Sequence, residues 1–355
     1  MEKYSRWRDP GTGIQPFLPP VPPHTESGLM QTLTNVIHYV AGPVQGILKL
    51  AVISVLALLY FILIQVLGTI LSPLGLIGRM WCRLFSALVI RLVLFFSGFF
   101  YIKTETVSSR KSRGSSSAAN KHDSTIQAGD VIVANWTSYI DILYLAYRFR
   151  PVFTQVYPAT KQLRPISTWE AIRLCTCVPS LTPENIPKDQ LYSVKELAQV
   201  AKSRYCRPVV VLPEGTTSNG RALLQFAPIF KEYKPTDRNG RFHVLAFKYE
   251  YDNLPPTYTV GNQFVHFIRL CSQFHNTLVV KYLAVGEAPC SNSTTLAQTP
   301  ELSSLTGLDD IVGGQLSSSI GHIARLRRIN LSMTDKRDFL QYYNTRSNGN
   351  KKRKL

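Results

Sequence analysis

The feature that most constrains this chain is a buried-strand signature that runs directly into a polar turn. It occupies residues 208–226, Pro-Val-Val-Val-Leu-Pro-Glu-Gly-Thr-Thr-Ser-Asn-Gly-Arg-Ala-Leu-Leu-Gln-Phe. Residues 209–212 are continuously apolar, the pattern of a strand covered on both faces, as inside a parallel sheet. Pro213 ends the strand, because proline has no N–H for the ladder. Glu214-Gly215-Thr216-Thr217-Ser218-Asn219-Gly220 then makes a polar turn, with Arg221 beyond it. Loops at the carboxyl ends of parallel strands are where open α/β sheets bind ligands. Backbone N–H groups, hydroxyls and a guanidinium in such a loop suit an anion. An ordinary turn with a solvated glutamate has the same spacing, so the pattern alone leaves both readings open.

The rest of the chain supplies a frame for that strand. Residues 130–134 read as a short strand, followed by Asn135-Trp136-Thr137-Ser138-Tyr139-Ile140-Asp141 and a helical run over 142–149. Thr137 or Ser138 is placed to cap that helix. Further strands are expected at 152–157, 241–249 and 278–285, and helices at 167–174 and 191–204. This alternation predicts an α/β fold, a mostly parallel central sheet flanked by helices, over residues 129–290. Residues 291–319 are rich in Ser and Thr and are expected to be loose, with a basic surface helix at 320–343 and a basic tail completing 291–355.

Residues 50–71 carry no charge, and Gln65 is their one strongly polar side chain. A bilayer core takes about 20 apolar residues as a helix, so this stretch can span. It starts too deep in the chain to be a cleaved signal. A second apolar stretch, 84–101, has Arg91 at its centre. A charge there costs about 3 kcal/mol on insertion scales, so this stretch is expected to lie in the interface or to re-enter. The anchoring region is thus 46–101. Arg79, Arg83, Arg110, Lys111, Arg113 and Lys121 follow the first stretch and place the remainder in the cytosol. The 1–45 arm, with Pro16, Pro19, Pro20, Pro22 and Pro23 in its first 35 residues, is expected to be extended and poorly packed. Residues 102–128 read as a flexible, Ser-rich basic insert.

The net charge is +18, and the last ten residues hold Arg346, Lys351, Lys352, Arg353 and Lys354 with no acid. Beside a membrane segment, that excess points to an anionic lipid surface rather than nucleic acid. Of the six cysteines, Cys175 and Cys177 are close, but no second pair accompanies them, which argues against a zinc site. Reduced thiols are expected.

The block from Asn135 to Asp141 and the block Pro213-Glu214-Gly215-Thr216 resemble two signatures of the glycerolipid acyltransferase family, the lysophosphatidate acyltransferases. That family has His-x-x-x-x-Asp after one strand and Pro-Glu-Gly-Thr downstream. The interval here, 214 − 141 = 73 residues, is similar to the family's. The opening, Met1-Glu2-Lys3-Tyr4 with Trp7-Arg8-Asp9 and Gly11-Thr12-Gly13-Ile14, resembles fungal members of the endoplasmic reticulum and lipid droplets. The resemblance implies transfer of a fatty acyl group from acyl-CoA to lysophosphatidic acid, giving phosphatidic acid in glycerophospholipid and triacylglycerol synthesis. It implies acyl-CoA as co-substrate, no cofactor or metal, and membrane lipids as surroundings. Asp141 and position 136 would stand at the proton-transfer end. Asn135, Thr137, Glu214, Gly215, Thr216, Thr217 and Arg221 would surround the substrate, with Glu214 orienting the loop or Arg221 beside the acceptor phosphate.

One departure bears on mechanism. Trp136 stands where the family keeps its catalytic histidine. The imidazole takes a proton from the acceptor hydroxyl while the aspartate orients it. An indole offers an N–H donor and no basic lone pair. General-base help is worth about 10²–10⁴-fold, while positioning and electrostatics survive its loss. Two readings follow: a slow or differently catalysed acyltransferase, or a catalytically impaired lipid-binding relative. Substitute bases are Asp141 itself, if burial raises its pKa, His122 in the insert, or His243 at the start of a strand.

Overall fold

The computed structural model describes residues 4–21, 28–71, 73, 75–108, 126–184, 186–231, 241–251, 253–284, 287–288 and 310–352. His122, Cys290, most of the Ser-rich insert (109–125) and residues 291–309 lie outside them.

Seven strands form one sheet. In chain order they are β1 (Ile102–Val107), β2 (Val131–Ala134), β3 (Val152–Tyr157), β4 (Gln162–Ile166), β5 (Val209–Val211), β7 (Phe242–Glu250) and β8 (Thr277–Leu283), in the spatial order β1-β8-β7-β2-β5-β3-β4. Short β6 (Ala222–Leu223) and β9 (Arg327–Arg328) pair separately. Parallel ladders join β1 to β8, β2 to β7 and β5, and β3 to β5, while β3–β4 and β7–β8 are antiparallel. The mostly parallel sheet expected from the sequence is present.

Residue parity explains how the sheet is covered. Ile132, Ala134, Val210, Leu212, Leu245 and Phe247 face one apolar layer. Val131, Val133, Val209, Val211, Val244 and Ala246 face the other. Alternate residues point to opposite faces, so strands apolar at every position are buried on both sides. Helices α3 (Tyr139–Phe149), α4 (Thr168–Leu174) and α6 (Gln263–Cys271) contribute to the first layer. Helices α5 (Val194–Val200) and α7 (Ile311–Ala324) contribute to the second.

Helix α1 (Gly28–Tyr60) continues through a π-helical turn, Phe61–Val66, into Leu67–Ile70. Among the described residues, Val40–Ile70 is the one stretch long and apolar enough to cross a membrane, and Val44, Ile47, Leu48, Val55, Leu58 and Phe61 on it are exposed. Its base is bound to the domain: Lys49 Nζ donates to the Gln273 carbonyl at 2.7 Å. Helix α2 (Leu76–Phe96) buries Val89, Ile90 and Leu94 against the domain and leaves Ile77, Met80, Leu84 and Leu88 exposed. Arg91 folds back onto the end of this helix, donating to the Phe99 and Phe100 carbonyls at 2.9 and 2.7 Å.

Four expectations need correction. The sheet begins at Ile102, inside the stretch read as insert. Ile102, Thr104, Thr106 and Val107 have β-forming side chains, and the Ser-rich composition starts only after them. The surface helix expected at 320–343 is two helices. Helix α7 stops where Arg325 takes a left-handed conformation (φ 56°), and α8 (Met333–Lys352) follows β9. Helix α7 also takes up residues 311–319, which read as loose, because Leu316, Ile320 and Ile323 recur at helical spacing and are buried on the sheet. Asp310 caps it, accepting from Gly313 N at 2.8 Å. The proline-rich arm is packed, not loose: Trp7 and Phe17 are buried with Phe339 and Leu340 of α8. Its prolines flank two aromatic knobs, and Asp9 closes a turn by accepting from Thr12 N and Oγ1.

Candidate active site

The loops after β2 and β5 emerge side by side, because these strands are neighbours in parallel register, Val131 against Val209 and Val133 against Val211. After β2, Ser138 caps α3, and Asp141 completes a capping box by accepting from Ser138 N at 2.8 Å. The same Asp141 Oδ2 accepts from Thr137 N (2.7 Å) and Thr137 Oγ1 (2.9 Å), and Oδ1 accepts from Tyr249 OH (2.5 Å). Asp141 is fully buried. Burial raises its pKa to about 6, against the opposing pull of these donors. Three of these four hydrogen bonds fall on Oδ2 and one on Oδ1, so the carboxyl group organises the turn.

After β5, Glu214 reaches across to the first loop. Its Oε1 accepts from Trp136 N at 2.8 Å, and its Oε2 from Leu224 N at 3.1 Å. Ser218 N donates to the Trp136 carbonyl at 3.0 Å, so residue 136 is held from both sides. Burial, with the Asp141 charge adding to it, raises Glu214 to about 8 against these two donors. Gly215 has φ +64°, and a Cβ there would come within 2.4 Å of Met333 Sδ, so the turn needs glycine on both counts. Glu214 thus ties the loop after β5 to the loop after β2.

The other expected site residues divide. Thr216 and Thr217 are buried in the turn, and the Thr217 hydroxyl has no hydrogen-bond partner. Thr137 lies against Gly220, its Cγ2 3.4 Å from where a Cβ would stand. Asn135 exchanges two hydrogen bonds with the Phe247 backbone (3.1 and 2.7 Å) and stitches β2 to β7. Arg221 is exposed and donates to the Val21 carbonyl of the arm at 2.9 Å. Asn219 likewise donates to the Gln15 and Leu18 carbonyls.

Trp136 is buried in the apolar layer with Tyr139, Ala171 and Tyr258. Its Nε1 makes no hydrogen bond of ordinary geometry, with the Cys175 sulfur the polar group beside it. His243 is removed as a base. It pairs with Ile132 and bonds Asp130 at 3.0 Å, at the amino ends of β7 and β2, opposite the candidate site.

Three residues escaped the sequence reading. Tyr249 holds Asp141, and its parity with Leu245 and Phe247 was the available signal. Lys336 on α8 is buried, donates to the Thr259 carbonyl at 2.8 Å and lies 5.1 Å from the Phe17 ring centre. Burial lowers its pKa to about 7. His266 on α6 sits between the Tyr139 hydroxyl (Nδ1, 2.9 Å) and the Pro255 carbonyl (Nε2, 3.1 Å). A carbonyl only accepts, which assigns the proton to Nε2 and leaves Nδ1 accepting from Tyr139. Burial lowers the His266 pKa, so the ring is neutral near pH 7.

Tyr139 also lines a largely apolar groove of about 1340 Å³ between helices α1 and α2 and the domain, with Tyr60, Val93, Leu143, Trp169 and Phe267 among its walls.

Residues 100–232 match the acyltransferase family. A Schizosaccharomyces pombe protein named "Putative lysophosphatidic acid:oleoyl-CoA acyltransferase" is 31% identical over 262 residues, 73% of this chain and 76% of that protein. No solved structure matches. Two interlocked motif loops at the carboxyl ends of β2 and β5, together with these similarities, establish that the chain belongs to the acyltransferase family.

Proposed function

We propose that the protein transfers a fatty acyl group from acyl-CoA to the free hydroxyl of lysophosphatidic acid, releasing CoA and forming phosphatidic acid. The observation that carries this reading is the interlock itself. Glu214 and Ser218 clamp residue 136, and the Asp141 turn opens α3, whose first residue, Tyr139, lines the apolar groove. A headgroup loop and a place for an acyl chain thus meet at one point. The relative's printed name supports the same substrates.

In this reading the acceptor hydroxyl oxygen attacks the thioester carbonyl carbon, the carbon–sulfur bond breaks, and CoA leaves as thiolate. The hydroxyl proton passes to the Tyr139 oxygen as the Tyr139 proton moves to His266 Nδ1. The imidazolium then returns a proton to the thiolate. A Tyr–His pair of this kind supplies the general base that Trp136 cannot. The Gly215 backbone, the Thr216 and Thr217 hydroxyls and Arg221 take the acceptor phosphate. The exposed apolar faces of α1 and α2 hold the domain at the cytosolic face of the endoplasmic reticulum and of lipid droplets.

The test is CoA release and phosphatidate formation by the purified full chain with oleoyl-CoA and lysophosphatidic acid. The expected result is turnover, raised at least tenfold by Trp136→His, since the clamp acts through the backbone of residue 136. No thiol release from either protein would overturn the enzymatic reading and leave a lipid-binding relative.

A further inference from the structure

The groove has a second end. Helix α3 runs from Tyr139 to Phe149, and Arg150 closes it in a left-handed conformation (φ 46°). Arg150 lines the groove there together with Arg79 of α2 and Arg207, which precedes β5. Arg79 Nη1 lies 3.2 Å from Cys206 Sγ, which draws it next to Arg207. The ion pairs among the described residues are Lys103–Glu250, Arg164–Glu170, His243–Asp130, Lys281–Glu105 and Arg337–Asp338, so none engages these three arginines. Burial lowers the Arg207 pKa, and the neighbouring Arg150 charge adds to the effect. Three uncompensated guanidiniums at the end of an apolar groove, beside a helix able to span a membrane, are built for a ligand with an anionic head and an apolar tail.

We infer that this end of the groove is a second lipid site, which seats a phosphomonoester glycerolipid of the phosphatidate type. The phosphate lies on Arg79, Arg150 and Arg207, and one acyl chain runs along α3 toward Leu143. Guanidinium forks match phosphate oxygens in pairs, and a doubly charged head answers three cations better than a carboxylate does. The site is distinct from the acceptor position of the proposed reaction. The eleven residues of α3 separate its two ends by about 16 Å at 1.5 Å per residue, whereas the phosphate and the free hydroxyl of lysophosphatidic acid are a few bonds apart. The groove also exceeds the roughly 300–1,000 Å³ of a pocket for one small ligand, leaving room for a chain entering from each end. The inference does not rest on turnover, and its test uses binding alone.

The experiment is thermal unfolding of the full chain in a neutral detergent, titrated with dioleoyl phosphatidate, dioleoyl phosphatidylcholine or oleate, with no acyl-CoA present. A ligand of the folded state raises Tm by mass action. Phosphatidate is expected to raise Tm at concentrations where the other two do not. Arg150→Gln combined with Arg207→Gln should raise the half-saturating concentration at least tenfold. Leu143→Trp, which narrows the groove and keeps every arginine, should do the same. If the double variant does not fold, Arg79→Gln, at an exposed residue, carries the test, with a rise of about threefold expected. An equal response to phosphatidylcholine or oleate, or a response to phosphatidate untouched by the arginine and groove variants, would overturn the site. So would loss of the response on neutralising Lys351 and Lys352, which would assign it to the tail.

Discussion

The two ends of α3 make opposite use of their polar groups. At Tyr139 the polarity is engaged from within: Asp141 accepts four hydrogen bonds, Glu214 two, and Asn135 exchanges two more. At Arg150, three guanidiniums face a groove with no carboxylate among its described lining residues. The first arrangement fixes backbone and leaves little for a ligand beyond Tyr139 and the threonine hydroxyls. The second keeps like charges near one another, an arrangement that an anion would ease. A motif's most buried carboxylates are therefore its scaffolding, and groups open to chemistry are to be sought beside them.

The sharpest way to break this contrast is to remove the scaffold. Asp141→Ala orphans four buried donors and should lower stability by about 3 kcal/mol or more, read from the denaturant midpoint. An unchanged midpoint with lost turnover would instead make Asp141 a chemical group. Next in size, His266→Gln should reduce kcat about a hundredfold, within the usual range for a general base. The wild-type rate should fall as pH drops through a value below 6.5, since burial lowers this histidine, and the variant should lose that acid limb. A purely structural role would leave the limb in place.

A smaller effect concerns Glu214. Its folded-state pKa is raised from 4.5 to about 8, so the folded protein holds the proton more tightly than the unfolded chain. This contribution to stability is complete below pH 4.5 and is lost as pH rises through about 8. Glu214→Gln should flatten the decline of Tm across that window, and an identical pH slope in the variant would refute the assignment. Smallest of all, Arg221→Ala removes one exposed hydrogen bond to the arm and should change stability by no more than about 1 kcal/mol. Its KM for lysophosphatidic acid should nonetheless rise, and an unchanged KM would exclude Arg221 from the phosphate site.

Much of the fold was legible because strand parity and uninterrupted apolar runs are local signals. Residues 131–134, 152–157 and 209–211 are strands as read, and Ser138 caps α3 as its position suggested. What escaped depends on partners far along the chain. Edge strand β1 acquires meaning only from β8. Trp7 and Phe17 lie in an arm expected to be poorly packed, and only distant Phe339 gives them a pocket. His243 reads as a substitute base by residue type alone, whereas the pairing of β7 with β2 puts its ring at the far end of the sheet. The glutamate clamp was readable as a residue type but not as a geometry, since its target is a backbone N–H 78 positions away. The arginine cluster joins residues 79, 150 and 207, which no window connects.

The docking of the arm sets an order of biosynthesis. Trp7, Phe17 and the carbonyls that hold Asn219 leave the ribosome early, yet their partners at 219 and 339 are made much later. The apolar segment at 40–70 emerges between the two, so delivery to the bilayer can precede completion of the Glu214 turn's surroundings. A nascent chain would then carry an unfinished pocket, and the final fold would close only once residues 219 and 339 have joined the arm.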